Sequence, residues 1–168
     1  MSTGGVMMGR TGTWGARVGA GLYAFALLIA TSIGVGFAAR GHLLIPVAVP
    51  FAGVLIAALR LLRPAFERHA WALFTVWLGT TYLQTGARTE TIMAVVYLAM
   101  ALAGSFASPW FLVAAWTFHP AWDLLPRSLP ALLHDLPMAC LLLDGAVAVY
   151  LGWAARTGWF APRHRPQP

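Results

Sequence analysis

The chain has 168 residues, 60 % of them hydrophobic and only 10 % charged. A soluble domain carries about 25 % charged residues, so most of this surface is not built to meet water. The net charge of +6 comes from arginines that stand singly or in small groups between apolar runs, the pattern of loops flanking membrane spans rather than of a nucleic-acid-binding face.

The chain contains neither lysine nor asparagine, as expected of a GC-rich bacterial genome. Without lysine there is no retinal Schiff base and no lysine nucleophile. The length is short for two domains and no polar linker divides it, so one transmembrane domain is expected over 18–156. A cytoplasmic segment, 1–17, precedes it, and a proline-rich disordered tail, 157–168, follows.

A span needs about 20 apolar residues. Helix 1 is predicted from Val18 to Ala39, 22 uncharged residues, longer than the 7–15 of a signal-peptide core. Its Gly15 and Gly19 have the GxxxG spacing of a packing face. Helix 2 runs from Leu43 to Leu59, with Pro46 and Pro50 in its first turns or kinking it. Helix 3 runs from Ala70 to Ala87, after a cytoplasmic loop in which Glu67 reads as a solvated charge. The stretch from Thr91 to Phe118 carries no charge and is long for one span and short for two. Ser105-Phe106-Ala107-Ser108-Pro109 is the natural turn, giving helix 4 over Thr89–Phe106 and helix 5 over Pro109–Leu125. Helix 6 runs from Leu136 to Ala154.

Charge counting decides between one span and two. Six helices with the N-terminus inside place eight arginines on the cytoplasmic side and three outside, as the positive-inside rule requires. The fold expected is therefore all-α, an integral membrane bundle of six transmembrane helices in the bacterial cytoplasmic membrane, with both termini cytoplasmic. Trp71, Trp110, Trp153 and Trp159 fall near span ends, where aromatic belts form.

The acidic residues carry the chemistry. Glu90, beside Arg88, reads as an interfacial ion pair. Asp144 lies in the middle of helix 6, where an aspartate costs about 2.5–3.5 kcal/mol on insertion scales and needs a partner inside the bundle. His119 and Asp123 stand four apart on helix 5, in a stripe with Leu112 and Trp116, so they share a face. A carboxylate one turn from an imidazole orients the ring and sets its tautomer, and Pro120 between them favours a kink that lines a cavity. Asp135 reads as the N-cap of helix 6, with His134 beside it. These residues converge on a polar pocket open to the outer face, with Asp144 at its floor, if helices 3, 5 and 6 are neighbours. The helix 3 stripe of Trp77, Thr81, Gln84 and Arg88 would join it. The single cysteine, Cys140, reads as a small buried side chain.

The segment His119-Pro-Ala-Trp122-Asp123-Leu-Leu, with Pro130, Pro137 and Cys-Leu-Leu-Leu-Asp144 downstream, resembles small bacterial polytopic membrane proteins of no settled activity. These carry an H-x-x-W-D motif, a proline-containing loop and an intramembrane aspartate. The resemblance covers the last third of the chain. In such proteins a His-His pair commonly follows the motif, and here Pro126-Arg127 stands in its place.

Five histidines are too few for a membrane di-iron hydroxylase, and only His119 lies deep, which argues against a bis-histidine haem. No P-loop, HExxH or GxSxG is present. Two active readings remain beside a purely structural subunit. One is a membrane enzyme on a lipidic or isoprenoid substrate, with His119, Asp123 and Asp144 as acid, base or ligands of a divalent metal. The other is a transporter or accessory subunit, alone or with a partner subunit, in which the same groups relay protons or bind a cation.

Overall fold

A computed structural model describes residues 11–81, 83, 88–123 and 134–161. The described residues form α1 (Thr11–Arg40), α2 (Leu44–Leu59), α3 (Pro64–Thr81), α4 (Arg88–Phe106), α5 (Trp110–Asp123) and α6 (Leu136–Arg156). The helices close a ring in the order α1, α2, α6, α5, α4, α3, with α3 also touching α5 across it. The chain therefore packs consecutive helices side by side everywhere except at α2 and α3, where it crosses the bundle.

The break at Ser105–Pro109 falls where expected, between α4 and α5. Two helices start earlier than their charge pattern suggests: α1 at Thr11 and α3 at Pro64. Proline fits the first helical position, where its missing N–H is no loss. Pro46 likewise lies in the first turn of α2, while Pro50 is internal. The expected ends of helices 3 and 5 beyond Leu83 and Asp123, Gln84, residues 124–133 and the expected tail from Pro162 fall outside the described residues.

Apolar side chains occupy both sides of the ring. Inside, Leu55, Leu59, Trp71, Phe74, Leu112, Trp116, Val147 and Leu151 pack into one cluster. Outside, Leu22, Phe25, Ile29, Ile33 and Phe37 on α1 and Val95, Leu98 and Leu102 on α4 are exposed. Such a surface suits hydrocarbon, and between helices in hydrocarbon small residues permit close contact. Gly79 and Gly104 do so here. A Cβ on Gly79 would come within 2.7 Å of Tyr97 Cβ, and one on Gly104 within 2.5 Å of Leu112 Cδ2. Gly15 and Gly19, in contrast, have nothing within 4 Å of a Cβ, so the GxxxG at the start of α1 packs against none of the described residues.

The end of the bundle where α2 and α6 stop and α3 starts is tied by a buried carboxylate. Glu67 is fully buried and not the solvated loop charge expected from sequence. Trp159 Nε1 donates to its Oε2 at 2.7 Å and Trp71 Nε1 to its Oε1 at 3.3 Å, and the Tyr150 hydroxyl also donates to Oε1. Three neutral donors from α3, α6 and the segment after α6 thus replace water around the charge. Trp71 is consequently inside the protein and not in an interfacial belt, whereas Trp110 and Trp153 are exposed. Trp159 reaches Glu67 because α6 ends in a Schellman turn. Its N–H bonds the Ala154 carbonyl, that of Gly158 bonds Ala155, and Gly158 takes φ +67°, the left-handed state this cap requires. The Arg60 guanidinium lies 4.1 Å from the Trp159 ring centroid and 5.3 Å from that of Trp153, a cation–π clamp over the knot.

Candidate functional site

On α5 the residues Leu112, Ala115, Trp116, His119, Pro120 and Asp123 are buried. Their spacing of three and one defines a single helical face. This face packs against α6 and α4. Pro120 stays within the helix and removes the helical donor for the Trp116 carbonyl. The Trp116 indole turns the other way, donating from Nε1 to Thr75 Oγ1 at 3.0 Å, so α5 is pinned to α3 one turn below His119.

His119 and Asp144 meet at the centre of that face. The His119 Nδ1 to Asp144 Oδ2 distance is 2.5 Å, and the two residues are 3 % and 1 % exposed. A second carboxylate oxygen, Asp123 Oδ2, lies 3.7 Å from the same nitrogen. A contact between nitrogen and oxygen this short holds one shared proton, either on Nδ1 and donated to a carboxylate or on a carboxylic acid and donated to Nδ1. Asp144 lies eight residues into α6, roughly 12 Å down the helix at 1.5 Å per residue. In a hydrocarbon layer of about 30 Å that is near mid-depth. Ion pairs at such depth survive only where the partner and the hydrogen bonds are supplied by protein.

Two residues not singled out as site groups border the centre. Tyr97 of α4 is fully buried with its ring edge-on to the imidazole, centroids 5.8 Å apart. Its hydroxyl donates to the Ala115 carbonyl at 3.4 Å. Cys140, half-buried one turn before Asp144, joins His119 and Asp123 in a group whose ligand atoms all lie within 4.8 Å of one another. Its signal in the sequence was the four-residue step to Asp144, the same step that separates His119 from Asp123. Tyr97 had no signal, because nothing in an apolar helix marks which tyrosine faces inward.

The other expected residues lie elsewhere. His134 and Asp135 pair with each other on the surface, Nδ1 to Oδ1 at 3.3 Å, with side chains 89 % and 39 % exposed. Asp135 stands at the N-cap position but makes no capping bond, its backbone being helical at φ −85° and ψ −4°. An N-cap needs extended backbone to turn its side chain onto the N2 or N3 amide, and Pro137 has no amide to offer. Glu90 is buried at the first turn of α4, and Arg88 is exposed. The expected neighbours are α5 and α6 in close contact and α3 and α5 in lesser contact. Two apolar grooves, of about 430 and 190 Å³, lie between α3 and α4. His69, Val76, Leu102 and Phe106 line the larger, and none of the residues of the centre lines either.

The described residues thus form an all-α bundle with an apolar exterior and a buried histidine–carboxylate pair. Three of its helices, Trp14–Arg40, Arg88–Phe106 and Leu136–Arg156, are long and apolar enough by length and composition to cross a bilayer. The chain belongs to a family of unknown function, DUF6010, whose family model matches residues 42–157. The match takes in α2 to α6, and with them His119, Asp123, Cys140, Asp144 and Glu67. No curated protein and no solved structure matches the chain.

Proposed function

We propose that this chain is a six-span bacterial inner-membrane protein with both termini cytoplasmic, and that its His119–Asp144–Asp123 centre takes up and releases a cation, a proton first of all. The reading is that of a proton- or cation-coupled transporter or transporter subunit. The observation that carries it is the near-total burial of a proton-sharing histidine–aspartate pair beside a second carboxylate. Groups so placed exchange protons among themselves, and the membrane interior makes that exchange responsive to whichever face admits water.

The topology is supported by the tied end of the bundle. Arg60 sits on Trp153 and Trp159, and Arg68 Nε donates to the Gly104 carbonyl at 2.7 Å. The C-terminal ends of α2, α4 and α6 therefore share one end with the start of α3. Alternating spans require this arrangement, and the arginines at that end give it the inside charge. A lipid-modifying enzyme is the weaker reading, because the two apolar grooves with room for a chain run along α3 and α4, away from the centre.

The test is proton uptake into proteoliposomes carrying an internal pH dye, driven by an imposed membrane potential. Uptake is expected with the wild-type chain and is lost in both Asp144→Asn and His119→Gln. Equal uptake in wild type and both variants, or none in wild type, would overturn the reading.

A further inference from the structure

The centre contains more ligand chemistry than a proton site needs. A ring nitrogen of His119, a carboxylate oxygen of Asp123 and Sγ of Cys140 converge within 4.8 Å of one another. Around a tetrahedral cation with bonds of about 2.0–2.3 Å, ligand atoms stand roughly 3.3–3.8 Å apart. Closing the set takes a side-chain adjustment of about an ångström, and because Asp123 faces His119 at Nδ1, 3.7 Å away, ligation through Nε2 also takes a turn of the ring. Each helix supplies its residues one turn apart, His119 with Asp123 on α5 and Cys140 with Asp144 on α6, and the two helices are packed together.

Asp144 occupies the place of an orienting partner. Histidines that bind metals almost always bond their other ring nitrogen to a carboxylate, carbonyl or water, which fixes the tautomer and strengthens the ligand. The 2.5 Å bond from His119 Nδ1 to Asp144 is such a bond, and an imidazole held at Nδ1 ligates through Nε2. Charge points the same way. A thiolate and a carboxylate offset a divalent cation, and the one negative charge that Asp144 adds is held by its bond from His119 Nδ1, so the loaded site keeps no unpaired charge at a depth where it is costly. The donor set also selects: thiolate with imidazole favours zinc-like transition cations, whereas magnesium and calcium prefer oxygen throughout.

We propose that His119, Asp123 and Cys140 form a binding site for a divalent transition cation of the zinc class, with Asp144 orienting the imidazole and the fourth position open to water or a transported ligand. The proposal rests on the cation-handling reading above and names its cation. Loading displaces to solvent the thiol proton of Cys140 and any proton carried on His119 Nε2, and no oxidation or reduction occurs.

Cobalt(II) is the probe, added to purified full-length protein in detergent. The expected result is one cobalt per chain, with the near-ultraviolet charge-transfer band of a cobalt–thiolate bond and strong visible bands of tetrahedral cobalt. Zinc should displace it and magnesium should not. Cys140→Ser should lose the charge-transfer band while keeping the helical circular dichroism and elution volume of wild type, with Cys140→Ala as the second variant should the serine chain fail to fold. Asp144→Asn should keep the band and bind about 10–100-fold more weakly, as loss of a histidine's orienting partner does. Absence of cobalt binding, or a band unchanged in Cys140→Ser, would overturn the site. If cobalt fails to bind but Asp144-dependent proton uptake persists, the metal assignment falls and the proton reading stands. If cobalt binds as described and no uptake is seen, the reverse holds.

Discussion

Four carboxylates lie buried among the described residues, and two of them, Glu67 and Asp144, have surroundings of quite different chemistry. Glu67 is surrounded by donors that do not exchange protons near neutral pH, two indoles and a phenol. Its acceptor positions are filled from three parts of the chain, so the charge serves as a fastening. Asp144 instead faces an imidazole, with a second carboxylate and a thiol close by. All of these gain or lose protons or bind cations. Burial alone would have marked both residues as functional; the chemistry of the partners separates them.

The comparison breaks most visibly on Glu67. Glu67→Ala should cost about 3–5 kcal/mol in reversible unfolding from mixed micelles, since it strands the Trp71, Tyr150 and Trp159 donors in a dry site. Glu67→Gln should cost less and leave proton uptake intact. A loss below 1 kcal/mol for the alanine variant would mean that the knot is not a fastening.

Overpacking should come next. Gly79→Ala sets a Cβ against Tyr97 Cβ, which is anchored to backbone and cannot swing away, so about 1–3 kcal/mol is expected. Because Tyr97 borders the imidazole, the 15N spectrum of His119 should change with it; an unchanged spectrum would separate the α3–α4 contact from the centre.

Asp144→Asn sharpens the contrast from the other side. The amide oxygen can still accept from His119 Nδ1, so the cost should be about 1 kcal/mol or less, while proton uptake disappears. A variant that fails to fold would place Asp144 in the same class as Glu67. A cost of the same order, about 0.5–1.5 kcal/mol, is expected of Trp116→Phe, which removes the bond to Thr75 and should leave both proton uptake and the histidine NMR of the centre unchanged.

Most of the helical pattern was readable from apolar runs and arginines, and α2, α4 and α6 begin and end within two residues of the expected positions. The start of α3 was not. Glu67, Arg68 and His69 look like loop, and what makes them helix lies far off in the chain: Tyr150 and Trp159 for Glu67, the Gly104 carbonyl for Arg68, and Ser105 Oγ at 2.5 Å from His69 Nδ1. Hydropathy measures a residue's own cost of burial and carries no record of donors 83 or 92 positions away. At the centre, helical spacing was enough to put His119 and Asp123 on one face, and the cost of a mid-helix aspartate was enough to demand a partner for Asp144. The approach of Cys140 to His119 and Asp123 depends on the rotation of α6 against α5, which spacing along one helix cannot supply. The N-cap expectation for Asp135 failed because residue type was read without backbone angles.

The knot at Glu67 also sets an order of events during biosynthesis. Chains are made from the N-terminus onward, so α3 is made with only Trp71 of the three donors to Glu67 close to hand. Tyr150 and Trp159 emerge 83 and 92 residues later. Until then the Glu67 carboxylate has one of its three donors. Arrival of the Gly158 turn, which swings Trp159 back, converts that anion into a closed latch. A contact begun at Glu67 is thus completed by a residue made 92 positions later.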